Sequence, residues 1–373
     1  MNKYSRAIIN LKNLKNNIKT IKNLAGNDKK ILIPVKCNAY GLGMTQISAY
    51  LQKYKLADYL GVAYPFEGIE LRKNNIKLPI LIFGSIIFKH DYDNIIKYNL
   101  TPTVSDLKTA ENLNLTGKKH KKKIKIHINI DTGMGRIGLN YETAVKTILT
   151  INKMSNLIIE GIYSHLSSAD ETDKKFTLKQ INTFTSIIKE LKNNKLEPEY
   201  THLLNSAGII NFKKTEFNMI RPGIMFYGYY PDNKIRKNIN LKQGLSLFSR
   251  IIFVKQSKKG TPISYGHTYF TRSKEQIATV GIGYGDGINR LLSNSSYFYF
   301  NGLKCKIRGR VCMDQIMINI PSKEKAKIGD EVLIFGEAEK SSIRLEKLAE
   351  KLHTIPYEIL CNLGDRIEKI YID

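Results

Sequence analysis

Residues 31–43 read ILIPVKCNAYGLG. The apolar residues 32–35 read as a buried strand, and the charge of Lys36 closes it. Downstream, a helical period over residues 44–54 gives way to a second apolar run at 60–63, and the alternation then repeats. Further strands are expected at 80–83, 102–104, 125–130, 158–163, 200–204 and 218–220. Amphipathic stretches at 65–73, 106–113, 141–151 and 174–192 lie between them. Eight strands separated by helices is the count of a closed, TIM-like (β/α)8 barrel, whereas one fewer or one more would favour an open sheet.

After residue 241 the pattern changes to short alternating strands at 246–255, 277–281, 297–300, 304–307, 316–320 and 331–335, with one clear helix at 344–352. The expected organisation is therefore an α/β barrel over residues 1–240 followed by a mostly β domain over 241–373. A chain of 373 residues with 42% hydrophobic content is long enough for both. No apolar run approaches the roughly 20 residues that span a bilayer, and the start MNKYSRAIIN lacks a secretory apolar stretch, so no membrane role and a cytoplasmic location are expected.

The formal net charge of +26 raises nucleic-acid binding as a function class. The lysines, however, are dispersed, and no aromatic residue interrupts the densest run, 118–125, so a solvated basic surface without a nucleic-acid partner is the expectation. The four cysteines, Cys37, Cys305, Cys312 and Cys361, lack the spacing of a metal or redox pair, which leaves reduced structural thiols and no metal.

Barrel active sites sit where the strands end. A lysine closing an apolar strand there loses water, its amine is more readily neutral, and it can attack a carbonyl to form a Schiff base. An end-of-strand lysine reaching out to solvent is the plain alternative. The fifth strand runs into Asp131-Thr132-Gly133-Met134-Gly135-Arg136, the sixth into Ser164-His165, the seventh into Asn205-Ser206-Ala207-Gly208 and the eighth into Arg221-Pro222-Gly223. Small-residue turns after strands seven and eight are where such barrels hold a phosphate. Facing a lysine at strand one, they suggest a phosphate-bearing ligand, although either turn alone is an ordinary one.

The ordered segments VKCNAYGLG, GVAYPFEGIELR, IDTGMGRIG, EGIYSHLSSAD, NSAG, RPGIMFYG, SYGHTY, GYGDG and GRVCMDQ resemble the motifs of alanine racemases from about residue 6 to residue 371. The lysine-ended first strand is shared with other fold-type III pyridoxal-phosphate proteins; SYG, GYGDG and CMDQ in a trailing β domain are particular to the racemases. The resemblance implies an isomerase interconverting L- and D-alanine, with D-alanine destined for peptidoglycan. Lys36 is then the lysine that holds pyridoxal phosphate, and Tyr40, Ser206, Gly223, Ile224 and Tyr357 surround the phosphate. His165 packs against the ring, and Arg221, with His202 behind it, faces the pyridine nitrogen. A guanidinium does not give up its proton, so the ring nitrogen stays unprotonated and the electron sink is weakened.

Racemisation needs a proton removed from one face of the α-carbon and another delivered to the opposite face. The resemblance assigns one face to Lys36 and the other to Tyr265, with Arg136 and Met313 against the substrate. It also implies a head-to-tail homodimer in which Tyr265, Tyr284, Cys312, Met313 and Asp314 reach the other subunit's site. Two positions depart from the pattern. Leu42 stands where a histidine is usual, with little consequence expected. Asn129 replaces a commonly carbamylated lysine that orients the arginine matching Arg136, and a chloride bound near Asn129 and Arg136 is expected in compensation, with a direct bond or a water as the plainer alternative. A racemase of broader range, accepting serine for example, a non-catalytic pyridoxal-phosphate carrier and a basic nucleic-acid-binding protein are the competing readings.

Overall fold

The computed structural model describes residues 4–212, 215–232, 235 and 239–373. One compact unit holds most of the chain between Ile18 and Phe226; the other joins the residues before Ile18 to a short piece from Tyr227 and to Leu241–Asp373.

The first unit is the closed barrel. Its eight parallel strands are Lys30–Pro34, Tyr59–Val62, Ile80–Ile82, Thr101–Val104, Ile124–Asp131, Leu157–Tyr163, Tyr200–His202 and Met219–Ile220. Each pairs with the next, and Met219 opposite Lys30 closes the ring. Several strands are buried along their whole length because helices cover the outside and side chains fill the inside, which is why they read as continuous apolar runs. Leu32, Tyr59, Leu81, Tyr163 and Met219 form one interior layer. Gly61 makes room in it: a Cβ there would lie 2.3 Å from the Phe83 ring. Outside, the helix Lys175–Asn193 buries Thr177, Gln180, Phe184, Ile187 and Leu191, the three- and four-residue spacing of a single helical face.

The second unit is built on one long strand, Leu245–Ser257. Its first half pairs with Ser5–Asn10 and with Glu331–Ala338. After a register shift between Ile251 and Phe253 it pairs mainly with Glu275–Val280, which pairs in turn with Ile316–Ile320. Expected strand positions agree with those observed to within about three residues at each end. The strand Ser5–Asn10, however, stands in this sheet, beside Glu368–Ile372, and not in the barrel where residues 1–240 were expected. Its alternating burial, with Ser5, Ala7 and Ile9 inward, is that of a half-covered sheet. A second helix, Pro356–Cys361, follows the expected one, observed at Leu345–Lys351. Among the described residues no helix is long and apolar enough to cross a membrane, and no cluster of metal-ligating side chains is found.

Candidate active site

Lys36 stands beyond the end of the first barrel strand with one residue between, half-buried, and opens a turn of unusual hand. Cys37, Asn38, Ala39 and Tyr40 all have φ between 52° and 55°, a left-handed run without a glycine. Each such residue costs about 1–2 kcal/mol. The turn persists because its polar groups are held on several sides. Cys37 N–H donates to Glu67 Oε1 at 2.7 Å, while the other carboxylate oxygen of Glu67 accepts from Ala63 N at 2.6 Å and Tyr64 N at 3.2 Å. Gly43 N donates to the Asn38 carbonyl, and Met44 N to the Asn38 side chain at 2.8 Å. Glu67, nearly fully buried, thus ties the turn after strand one to the end of strand two. No role was read for it from the sequence. The only signal was an acid two residues after Pro65 at a helix start, which reads as a cap.

Across the barrel mouth Arg221 is buried, and among the described residues no carboxylate is one of its hydrogen-bond partners. Its Nη1 donates to His202 Nδ1 at 2.8 Å, and its Nη2 donates to the carbonyls of Ser164 and Leu203 and faces His165 Nδ1 at 3.3 Å. The guanidinium also lies 5.3 Å from the centre of the Tyr163 ring, on which His202 stacks at 4.7 Å. Burial lowers Arg221 to about 10, still charged at neutral pH. Burial, reinforced by Arg221, holds His165 and His202 well below the usual imidazole range. A buried cation is thus surrounded by neutral acceptors.

The turns after strands seven and eight are tied together: Met225 N donates to Ser206 Oγ at 3.3 Å, and Asn205 accepts from Gly208 N at 2.9 Å. A Cβ on residue 223 would fall 2.8 Å from the Tyr40 hydroxyl, so Gly223 keeps that space open. Ile224 is buried beside it. Lysine, neutral imidazoles, an obligate-donor guanidinium and a cradle of hydroxyl and backbone have the chemistry that pyridoxal phosphate would need: an amine for its aldehyde, a donor for its ring nitrogen and N–H and hydroxyl groups for its phosphate.

Strand five brings the next group. Asp131 accepts from the N–H groups of Gly133, Met134 and Gly135; burial works to raise its pKa, but these donors hold it below the usual carboxylate value. Asn129 is buried and donates its amide to the Ile137 carbonyl at 3.1 Å, while Arg136, one residue earlier, is exposed.

The second unit carries the remaining residues. Tyr265, Met313 and Asp314 line one open groove with Ser264 and Cys312, although nearly fifty residues separate the two segments. Ser264 Oγ donates to the Arg310 carbonyl at 2.6 Å; Tyr284 N and Gly285 N donate to the carbonyls of Cys312 and Met313. Arg366, which sequence reading passed over, bridges Asp286 at 2.9 Å and Asp314 at 2.7 Å. Tyr265 is 69% exposed, and Tyr284 and Met313 are exposed too. Tyr357 stands on the helix Pro356–Cys361.

The profile of the alanine racemase N-terminal domain matches residues 9–231, and that of the alanine racemase C-terminal domain matches residues 244–371. An alanine racemase of Halothermothrix orenii is 41% identical over 365 residues, 98% of this chain and 96% of its own. The solved alanine racemase of Clostridium difficile 630 superposes with a TM-score of 0.93 at 39% identity, over 100% of this chain and 96% of that one. The alanine racemase of Bartonella henselae, solved with covalently bound pyridoxal phosphate, superposes with a TM-score of 0.87 at 28% identity, over 99% of each chain. The chain belongs to the alanine racemase family of pyridoxal-phosphate-dependent isomerases.

Proposed function

We propose that the chain racemises alanine by a two-base mechanism, with Lys36 serving one face of the substrate's α-carbon and Tyr265 of a second copy serving the other. The observation that carries this reading is the barrel mouth, where a lysine at the end of strand one shares its surroundings with a buried guanidinium that has only neutral acceptors. Bound there, pyridoxal phosphate supplies a sink for the electron pair left when the α-proton departs. Arg221 orients the ring and withholds its own proton, which limits that sink. His165 packs on the ring and His202 steadies Arg221, while Tyr40, Ser206, Gly223, Ile224 and Tyr357 hold the phosphate. Arg136 and Met313 position the amino acid, with Tyr284 and Asp314 as supporting residues. The Lys36 amine takes or returns the proton on its face, and the Tyr265 phenol acts opposite.

The exposure of Tyr265 supports a reading in which the catalytic surroundings of its phenol come from another chain. A head-to-tail homodimer in the cytoplasm, supplying D-alanine for peptidoglycan, is the setting we propose. Near Asn129 we place a chloride: an amide cannot supply the negative charge of a carbamylated lysine, and Arg136 calls for an anionic neighbour. The test is a racemisation assay of the cofactor-loaded protein against a panel of L-amino acids. Alanine should be turned over fastest. Equal rates on serine would make the enzyme a broader-range racemase, and no racemisation of any amino acid would overturn the reading.

A further inference from the structure

Behind Arg221 the barrel interior holds a polar chain that the proton-transfer steps above do not use. His202 Nε2 lies 2.9 Å from His127 Nδ1. The other nitrogen of His127, Nε2, points at Glu160 Oε2 across 3.5 Å and has no hydrogen-bond partner of normal length. Glu160 is 5% exposed; it accepts from the Tyr59 hydroxyl at 2.7 Å and from Lys125 at 2.5 Å, and Lys125 is itself solvent-exposed. The space for this chain is built in. A Cβ on residue 161 would come within 2.5 Å of the His127 ring, so Gly161 admits the imidazole into the barrel.

The two ends of the chain fix its protons. Arg221 can only donate, so His202 Nδ1 must be bare and its hydrogen must sit on Nε2. His202 then donates to His127 Nδ1, which leaves the hydrogen of His127 on Nε2, aimed at Glu160. An ionised carboxylate can only accept, so counting from that end gives the same answer. The charges agree with it: burial lowers His127 and His202, which favours the neutral form of each ring. Burial would raise Glu160, but its donors outweigh burial and hold it near 2. Every donor along the chain points from the buried cation towards the buried anion, and aligned hydrogen bonds polarise one another.

We propose that His127 and Glu160 are positioning residues for the racemase: they lock the histidine protons so that His202 presents Arg221 with a bare nitrogen and the guanidinium keeps one plane at the cofactor ring. This rests on the assignment of Arg221 to the pyridine nitrogen, and the first readout below does not depend on that assignment. In holoenzyme labelled with 15N at histidine and arginine, His127 and His202 should both be neutral and protonated on Nε2 from pH 6 to pH 9, with restricted rotation of the Arg221 guanidinium. Either histidine found protonated on Nδ1, or doubly protonated, overturns the proposal whatever Arg221 does in catalysis. His127→Phe keeps a ring in the space Gly161 provides but removes both nitrogens, and Glu160→Gln removes the anion. Each should free the Arg221 rotation and lower kcat about tenfold with KM nearly unchanged, the scale of one lost hydrogen bond. His127→Gln, which offers an acceptor and a donor, should recover most of the loss. Variants that fold and keep both the Arg221 signals and kcat would reduce the chain to packing. Should they fail to fold, the tautomers of the unsubstituted enzyme still decide.

Discussion

The barrel mouth and the Tyr265 groove carry the two proposed bases in opposite states. Around the half-buried Lys36 and the buried Arg221 the polar groups are bonded within the chain, down to a left-handed turn held by Glu67. Around Tyr265 the backbone is just as well tied, through Ser264 and Cys312, yet the phenol itself is exposed. A base embedded in one chain can be prepared by that chain alone. An exposed one depends on whatever covers it, and in the proposed dimer that cover would be the second copy.

Removing the base on the prepared side should have the largest effect. Lys36→Ala should lower racemisation by about 10³-fold or more while leaving the thermal transition in place. Borohydride reduction followed by peptide mapping should find the cofactor on Lys36 in the unsubstituted protein; an adduct on any other lysine would refute the assignment of the barrel mouth. On the exposed side, Tyr265→Phe should cost about 10²–10⁴-fold. Mixed with Lys36→Ala protein, it should regain activity, because a mixed dimer has one site with both bases and one with neither. Failure to recover after verified subunit exchange would leave Tyr265 serving its own chain, or no chain.

Glu67 is the sharpest test of preparation itself. Glu67→Gln keeps the size but replaces one accepting oxygen with a donor that faces backbone N–H groups. A buried donor left without an acceptor costs about 1–3 kcal/mol. The melting temperature should fall, and binding of pyridoxal phosphate, followed by its absorbance, should weaken because the turn after Lys36 is no longer held. A variant with normal stability and normal cofactor binding would show that the left-handed turn needs no clamp.

The difference between the two regions was only partly legible in the sequence. The barrel was readable because strands covered on both faces are continuous apolar runs, and the lysine that interrupts the first one marks the mouth. The residues that hold that mouth were not readable. Glu67 lies some thirty residues from the turn it supports, and Glu160 and His127 pair across neighbouring strands that the chain order separates by a helix. The strand Ser5–Asn10 was missed for a related reason: its partner, Leu245–Ser257, lies more than two hundred residues away. The helix Lys89–Lys97 is mostly polar and buries only Asp91 and Ile95, so few apolar residues mark it as an element that faces the core. In the second unit SYGHTY and GRVCMDQ were recognisable as motifs, but that they meet in one groove is a product of sheet pairing.

The buried half should also be the half that responds to acid. Glu160 is held near 2 in the fold against an ordinary value of 4.5. A depressed carboxylate contributes stability above its unfolded pKa and loses it as pH falls towards the folded one. Urea unfolding should therefore show stability dropping as pH is lowered from about 4.5 towards 2, and Glu160→Gln should flatten that drop. An unchanged pH slope in the variant would mean that other carboxylates carry the acid sensitivity.

The smallest effect is expected where buried and exposed groups meet on one turn. Asn129 is buried and donates to the Ile137 carbonyl, while Arg136 extends into solvent. A neutral amide adds no negative charge to that of Asp131, which already interacts with Arg136, and an anion held between Asn129 and Arg136 would gain charge-assisted hydrogen bonds on one side and an N–H donor on the other. Bromide soaked into crystals should give an anomalous peak beside Arg136. Replacing chloride with a bulky anion at constant ionic strength should lower activity by about two- to fivefold, since part of the lost contact returns through water. Substituting Asn129 by lysine should remove this dependence if the new amine becomes carbamylated, because the negative charge is then built into the chain. No bromide peak and no change in rate would leave water as the partner of Arg136.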